Sequence, residues 1–398
     1  MVSNKKQAVI GYHPIANRIG EKILESGGNA FDAFVATTFA EFVLGEGVTS
    51  LAGPLSALLY DSKLKRCHYL DAGFNTPLKN NKKDKTGVRV PGAPKGLEKI
   101  SKKFGKLSFE EVLKPAIQLA RKGFKLNSLY ADLISLNKEK LKKSKYGKEK
   151  FFHDEKPLVK GEIIKFPEIA KVLESISKQG SKYIYEGEWA KRAVKVIQEN
   201  GGVLTLEDFR RYKVNWKNPL KTSYNGYNVY FPSGRTFGGI ASILALKTLE
   251  HIDITSFENH YSNNADALEL MIRINNEAER IVNNLSPKEL DNSSFIQNSI
   301  NKKAKEIWQR VKKEIKFDIK SIKGNHSYQI SIVDKEGNAI TGTNSIQSLP
   351  WGEGIFVEGI PITASGKVTP FSTNPGEREL SALSMHIGMK DSKVSFIS

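Results

Sequence analysis

The stretch Gly324-Asn-His-Ser-Tyr-Gln-Ile-Ser-Ile-Val-Asp-Lys-Glu-Gly-Asn-Ala-Ile-Thr341 decides the fold of this chain, because it has the pattern of a β-hairpin. Large apolar residues at 328, 330 and 332 alternate with polar ones, which is the period of a half-buried strand. Residues 334–338 are a turn cluster, and residues 339–341 begin a return strand. Ser327, a small hydroxyl residue, stands where the first strand begins.

This hairpin resembles the nucleophile strand of the gamma-glutamyltranspeptidase family, one of the N-terminal nucleophile hydrolases. In that family a Thr-Thr-His-x-Ser-Val-Val-Asp-x-x-Gly-Asn-Ala-Val run follows the point of self-cleavage, and its first Thr becomes the nucleophile. Counting back from Asp334 without a gap sets Ser327 on that Thr, so cleavage is expected between His326 and Ser327. A hydroxyl at a new chain terminus can use its own α-amino group as general base, and Ser can do this as Thr does.

The neighbours of Ser327 depart from the family motif. Tyr328 and Gln329 stand where the family has Thr and His. An alignment on Gly324 would instead put His326 at the nucleophile position, where an imidazole cannot replace the hydroxyl. Taken alone, Ser327 also fits an ordinary serine at a turn-to-strand junction, since Ser is common there.

Three further residues are identified as site residues by the resemblance. Ser345 falls on a second Thr of the family, which positions the amino group of the nucleophile. Gln347 stands on a family Asn with similar donors, and Ser381 matches one of the paired serines in a Pro-Leu-Ser-Ser-Met motif; both are expected to bind substrate. The run at residues 351–355, Trp-Gly-Glu-Gly-Ile, resembles the family's Phe-Gly-x-Gly-Ile and supports this register.

Three features with which the family acts on its substrate are missing at their expected positions. Gly73 occupies the place of an Arg that clamps a glutamyl α-carboxylate, so a substitute such as Arg89 or Arg235 would be needed. Residues 363–371 lack the acid that holds the substrate's α-amino group. The sequence also ends, at Ser398, before the Gly-Ser-Pro-Gly-Gly turn of the oxyanion hole, so the C-terminal part is expected to be shortened or truncated.

The most specific match to the family lies near the N-terminus. The passage from Ser26 to Ala36 reads Ser-Gly-Gly-Asn-Ala-Phe-Asp-Ala-Phe-Val-Ala, and it resembles the family's Gly-Gly-Asn-Ala-Val-Asp-Ala-Ala-Val-Ala. Asn29, with Asp32 three residues on, has the pattern of a helix N-cap. Alanines along one side of the helix that follows favour close approach by another element.

Two more helices are predicted in the N-terminal third. Ile15, Ile19 and Ile23 recur every fourth residue, which predicts an apolar helix stripe. Ser108 and Glu111 have the spacing of a capping box and so mark the start of a second helix.

Composition indicates a globular protein without a metal site. With 39% hydrophobic and 9% aromatic residues, 398 residues can form a sizeable core. The single cysteine, Cys67, excludes an intramolecular disulfide and a Cys-based metal cluster. The histidines at 13, 68, 153 and 386 do not have metal-ligand spacing, so no metal and no cofactor are expected.

The formal net charge of +18 favours anionic small substrates over a nucleic-acid partner. Lysines are spread over most of the chain, and the densest run, residues 138–150, has Tyr146 as its only aromatic, which favours a solvated surface. No nucleic-acid motif is visible. The sequence shows neither a secretory signal core nor an apolar stretch of membrane-spanning length, so a cytoplasmic location is inferred.

The resemblance implies an α+β fold, the four-layer αββα sandwich of the N-terminal nucleophile hydrolases, as one structural domain. It divides into a large-subunit-like region, 1–326, and a shortened small-subunit-like region, 327–398. The implied activity is that of a gamma-glutamyltransferase-like amidohydrolase or acyl transferase acting on gamma-glutamyl or related amides such as glutathione. A small amide or peptide is the expected partner, and homodimer formation is left open. The alternative is a non-catalytic relative that keeps the fold as a binding or assembly module.

Overall fold

The structure, a computed structural model, describes residues 7–45, 47–79, 84–253, 256–257, 260–313, 327–368 and 373–398. Two parts of the sequence-based predictions lie outside these ranges. One is His326, and with it the bond expected to be cleaved ahead of Ser327. The other is the end of the run 363–371, from residue 369 onward.

Helices account for most of the regular structure. They are α1 Pro14–Glu25, α2 Ala30–Leu44, α3 Ala93–Phe104, α4 Phe109–Lys122, α5 Ser128–Leu136, α6 Lys138–Leu141, α7 Lys145–Phe151, α8 Pro167–Gln179, α9 Lys182–Tyr185, α10 Glu188–Glu199, α11 Leu206–Arg211, α12 Phe237–Leu249, α13 Ala265–Asn283, α14 Pro287–Asp291 and α15 Ser293–Val311. The strands are β1 Ala8–Ile10, β2 Leu55–Asp61, β3 Arg66–Ala72, β4 Phe124–Lys125, β5 Phe152–His153, β6 Lys156–Pro157, β7 Ile163–Ile164, β8 Asn215–Lys217, β9 Leu220–Tyr224, β10 Tyr227–Phe231, β11 Tyr328–Val333, β12 Ala339–Asn344, β13 Phe356–Val357, β14 Ile360–Pro361, β15 Ile387–Lys390 and β16 Lys393–Ile397.

The longer strands form two sheets. The six-stranded sheet has the order β1-β11-β12-β2-β3-β8, and the four-stranded sheet has the order β16-β15-β10-β9. Strand β11 is antiparallel to both β1 and β12, and every pair in the four-stranded sheet is antiparallel. Helices together with antiparallel sheets confirm the predicted α+β class.

The chain divides into two compact units. The first comprises Met1–Ser56, Leu70–Asn215 and Asn325–Glu379, and the second comprises Ala57–Tyr69, Trp216–Gly324 and Leu380–Ser398. In the second unit, α12, α13 and α15 pack on one another, and α12 and α15 contact β9. The division at residue 327 that the resemblance implies stays a prediction.

Helix α2 lies at the centre of the first unit. All of its residues are buried, and α1, α3, α4 and β11 pack against it. The α1 face that meets it is built from small residues as well as large ones, since Ala16 and Gly20 are buried beside Ile23. Ile15 is 38% exposed, so the predicted isoleucine stripe is wrong at its first position. Small side chains allow a closer helix approach than an isoleucine row would.

The predicted helix caps are confirmed. Asn29 Oδ1 accepts the N–H of Asp32 at 3.0 Å, and the Asp32 carboxylate accepts the N–H of Asn29 at 3.0 Å. Asp32 is fully buried, and it also accepts the N–H of Lys106 at 2.9 Å. Ser108 and Glu111 form the second capping box, at the start of α4. These caps satisfy the N–H groups that a helix start leaves without intrahelical partners.

Asp334 ties the β11–β12 hairpin to the start of α2. Its carboxylate accepts the N–H of Ala30, the first residue of α2, at 2.9 Å. The same carboxylate accepts the N–H of Asn338 at 2.9 Å and its side-chain amide at 2.8 Å, which closes the hairpin turn. One buried carboxylate therefore positions the hairpin against the central helix.

Candidate active site

The register of the β11–β12 hairpin brings two of the predicted site residues together. Tyr328 pairs with Asn344 in an antiparallel ladder. Ser327 directly precedes β11 and Ser345 directly follows β12, so both lie at the same end of the hairpin. Ser327 is exposed.

Side chains of β11 alternate between an apolar face and a polar face. The tyrosine and the two isoleucines of the strand are buried, as the sequence pattern predicts. On the other face, Gln329 Nε2 donates to Thr341 Oγ1 at 3.1 Å, and Ser331 Oγ lies 2.9 Å from the same hydroxyl. Alternation places Ser327 on this polar face.

Ser345 and Gln347 form one local turn directly after β12. Ser345 is fully buried, and its Oγ accepts the N–H of Gln347 at 2.9 Å. Gln347 is half-buried and has a left-handed backbone conformation, with φ of 44°. The structure therefore groups Ser327, Ser345 and Gln347 at one end of the hairpin.

The loop ahead of β2 holds this end of the hairpin in place. Asn344 donates its side-chain amide to the carbonyl oxygen of Pro54 at 2.7 Å and accepts a hydrogen bond from Thr49 Oγ1. A Cβ on Gly53 would lie 2.6 Å from the carbonyl oxygen of Ser345, so only glycine fits there. Sequence reasoning missed Thr49 and Asn344. In the sequence, Gly53 was the one residue that indicated a close backbone contact in this loop.

Arg378 fills the space at Gly73, where the family has its clamp arginine. A Cβ on Gly73 would lie 3.0 Å from Arg378 Cδ. The guanidinium is ion-paired with Asp71 at 3.0 Å and donates to the Tyr212 hydroxyl at 2.9 Å and to Asn75 Oδ1 at 2.8 Å. Nη2 donates to a backbone carbonyl at 2.7 Å. Arg378 is 9% exposed, and each guanidinium nitrogen contacts a protein group, so it is a structural residue.

The two arginines considered as substitutes lie in different units. Arg235 belongs to the second unit and is ion-paired with Asp291 at 2.9 Å. Arg89 belongs to the first unit, where its Nε is 3.0 Å from the carboxylate of Glu379 and its Nη1 is 3.7 Å from that of Asp84. Arg89 also lines a cavity of about 240 Å³.

Ser381 belongs to the second unit. Its N–H donates to the carbonyl oxygen of Arg235 at 2.9 Å, and its Oγ accepts the N–H of Leu383 at 3.3 Å. It forms an isolated parallel bridge with Thr236. These contacts fix its backbone, and its part in substrate binding stays a prediction.

A buried glutamate that sequence reasoning missed is linked to β11 through a pair of tyrosines. Glu41, on α2, is 1% exposed, and its Oε1 accepts the N–H of Tyr12 at 3.1 Å. The Tyr12 ring stacks on that of Tyr328 at 4.3 Å. Burial raises the pKa of Glu41 to about 8, so the carboxyl is protonated at neutral pH. Nothing in the sequence distinguishes Glu41 from a surface glutamate except its apolar neighbours.

Within the described part of the chain, no helix combines the length and apolar character that a membrane span requires. Side chains of His, Cys, Asp and Glu in the same ranges form no cluster that could hold a metal ion.

The family model described as gamma-glutamyltranspeptidase matches residues 16–389. The chain is 27% identical to the glutathione hydrolase proenzyme of Bacillus subtilis (strain 168), covering 96% of this chain and 72% of that one. It is 29% identical to the glutathione hydrolase proenzyme of Escherichia coli (strain K12), covering 100% and 75%. The crystal structure of cephalosporin acylase from Bacillus halodurans superposes with a TM-score of 0.80 at 21% identity, covering 98% of this chain and 76% of that one.

The structural likeness confirms the predicted N-terminal nucleophile hydrolase fold. The match to the family model over most of the sequence identifies the chain further: it belongs to the gamma-glutamyltranspeptidase family.

Proposed function

We propose that this chain is an amidohydrolase or acyl transferase whose nucleophile is Ser327. The observation that supports the proposal is the hairpin register, in which exposed Ser327 and buried Ser345 flank the Tyr328–Asn344 pair at the end of the β11–β12 ladder. The hydroxyl of Ser327 attacks the carbonyl carbon of an amide, and the amine leaves with a proton. The resulting ester is then cleaved by water, in hydrolysis, or by an acceptor amine, in transfer.

Self-cleavage between His326 and Ser327 supplies the general base. It frees the α-amino group of Ser327, which takes the proton from the hydroxyl of the same residue. Relatives of this chain are named as proenzymes, which supports processing here as well. The exposure of Ser327 also supports it, because a new terminus at that position needs no unfolding of the strand.

Ser345 and Gln347 have supporting roles. Ser345 lies at the same end of the hairpin as Ser327 and is buried, so its hydroxyl is assigned to orienting the freed amino group. The side-chain amide of Gln347 and the hydroxyl of Ser381 are assigned to substrate binding. The location in the cytoplasm and the oligomeric state stay predictions.

The proposed substrate is a gamma-glutamyl compound or a related amide. Both relatives described above carry the name glutathione hydrolase proenzyme, which supports this class. The positions that hold a glutamyl group in the family are altered here, since Gly73 replaces the clamp arginine. The related-amide alternative therefore stays open. No comparison supports a non-catalytic role.

Denaturing electrophoresis and N-terminal sequencing test the proposal. Wild-type protein should give two fragments, the smaller beginning Ser-Tyr-Gln at Ser327, and Ser327→Ala should stay intact. Ser331→Ala is the matched control, because it removes a hydroxyl from the same face of β11 and should leave processing unchanged. An intact wild-type chain, or cleavage that persists in Ser327→Ala, would contradict the proposal.

A further inference from the structure

The loop that follows β12, residues 345–354, contains two strained backbone positions and is named the Gln347 loop. Gln347 has φ of 44° and Trp351 has φ of 56°, so both lie in the left-handed region. Residues with a Cβ are uncommon in this region, and a bulky residue such as tryptophan is an outlier there. Strain of this kind persists only where the surrounding structure holds it, and it is concentrated at functional sites.

Trp351 anchors the far part of the Gln347 loop in the core of the first unit. Its side chain is 2% exposed, and its ring centroid lies 6.0 Å from that of Tyr130 on α5 and 5.6 Å from that of Phe151 on α7. Its N–H donates to the carbonyl oxygen of Gly47 at 2.8 Å, and a Cβ on Gly47 would overlap the indole. Burial of a large aromatic side chain stabilises the fold, and it therefore holds the left-handed backbone in place.

The near part of the Gln347 loop is tied to the turn ahead of β2. The N–H of Ile346 donates to the carbonyl oxygen of Val48 at 3.0 Å, and the Ile346 side chain is 1% exposed. The N–H of Gln347 donates to Ser345 Oγ at 2.9 Å. Leu349, two residues further on, is 63% exposed. Gln347 therefore lies where the loop passes from the core to the solvent, with its backbone held on the core side.

Lys140 supports the Gln347 loop from α6. Its Nζ donates to the carbonyl oxygen of Pro350 at 2.8 Å and to Asn137 Oδ1 at 3.0 Å. The side chain is half-buried, and burial lowers the pKa of its ammonium group. A Cβ on Gly354 would overlap the carbonyl oxygen of Lys140, so the backbones of the loop and of α6 are also in contact. Lys140 is thus an exception to the solvated surface predicted for residues 138–150.

We propose that these contacts hold the Gln347 loop under backbone strain, so that the Gln347 amide has a fixed direction for the substrate, and that Lys140 is a positioning residue for this binding. The inference rests on the function proposed for Ser327. The loop begins at Ser345, which lies at the same end of the hairpin as Ser327. A group that is already ordered binds more tightly, because less conformational freedom is lost when the ligand arrives.

Glycine substitutions measure the strain without a substrate. Gln347→Gly should lower the equilibrium constant for unfolding about threefold, because glycine adopts the left-handed backbone without steric cost. Ser348→Gly is the matched control. Ser348 is the next residue and its φ is not positive, so glycine there adds freedom to the unfolded chain and should lower stability.

Urea unfolding of both variants in the Ser327→Ala background, where one intact chain is expected, gives the comparison. A loss of stability in Gln347→Gly equal to that in Ser348→Gly would overturn the proposed strain.

Kinetics with gamma-glutamyl anilide test the positioning role of Lys140. Lys140→Met removes the ammonium group and keeps an unbranched stem, so KM should rise about three- to tenfold while kcat changes less than about twofold. Lys140→Arg keeps N–H donors and should restore part of the affinity. Lys138→Met, which removes an exposed lysine from the same helix, is the matched control and should have the KM of wild type. Equal KM values in Lys140→Met and Lys138→Met, or a fall in kcat with KM unchanged, would overturn this role.

Failure of the two proposals can be told apart. If Gln347→Gly is stabilised and Ser348→Gly is not, while wild type hydrolyses no anilide, the loop is strained but the function proposed for Ser327 is wrong, and the positioning role falls with it. If wild type hydrolyses the anilide and Lys140→Met matches Lys138→Met, the function stands and the positioning role of Lys140 is wrong.

Discussion

The start of β11 and the surroundings of Gly73 are held in place by different means. The backbone register of the hairpin and the Asp334 turn hold the start of β11 in place, and they leave Ser327 exposed. The space at Gly73 is filled by a single long side chain, that of Arg378. This side chain is buried, and each of its guanidinium nitrogens contacts a protein group. The first arrangement leaves a reactive group open, whereas the second stabilises the fold. A charged side chain at a family position is therefore evidence of binding only if some of its donors remain open.

Removal of Arg378 should give the largest change in stability. Arg378→Ala leaves Asp71, which is 2% exposed, without its cation, and breaking a buried pair in this way costs about 3–5 kcal/mol. Urea unfolding measures this as a fall in the free energy of unfolding. The control is Arg121→Ala, whose exposed pair with Glu174 should contribute less than about 1 kcal/mol. Equal, small losses in both variants would show that Arg378 is not a structural centre.

Removal of the Ser345 hydroxyl should change the rate and leave the fold intact. Ser345→Ala removes the group proposed to orient the amino terminus of the nucleophile, so kcat for amide hydrolysis should fall about 10–100-fold. Its fragment pattern and unfolding midpoint should be compared with those of Ser331→Ala, on the same hairpin. Unchanged kcat in Ser345→Ala would remove Ser345 from the proposed site.

The buried Glu41 should affect stability through a pH dependence, which leaves the kinetics of the proposed site unchanged. Its pKa is about 8 in the folded protein and about 4.5 in an unfolded chain, so unfolding releases a proton between these values. The contribution of Glu41 to stability is therefore complete below about pH 4.5 and is lost as the pH rises through about 8. Glu41→Gln cannot ionise, so its stability should fall less than that of wild type between about pH 5 and about pH 8. Parallel pH profiles in urea unfolding would contradict this.

Local sequence patterns predicted the parts of the fold that local interactions determine. The hairpin, the Asn29 cap and the Ser108 capping box each rest on residues a few positions apart, and each is confirmed. The isoleucine row in α1 did not predict the whole buried face correctly, because Ala16 and Gly20 are buried where α1 packs against α2.

Contacts between distant residues could not be predicted in the same way. Arg378 meets Gly73 across 305 positions of sequence, and no local pattern connects the two. The ion pair between Arg89 and Glu379 likewise joins residues 290 positions apart. The burial of Glu41 follows from α2 being surrounded on all sides.

Mass spectrometry of the quenched reaction tests the role of Ser327 most directly. Wild-type protein is mixed with gamma-glutamyl anilide, quenched in acid within the first turnovers, and digested. The account predicts that the peptide beginning at Ser327 gains the mass of one glutamyl group and that this gain is absent in Ser327→Ala. Release of aniline with no acyl group on that peptide, or with an acyl group on another residue, would contradict it.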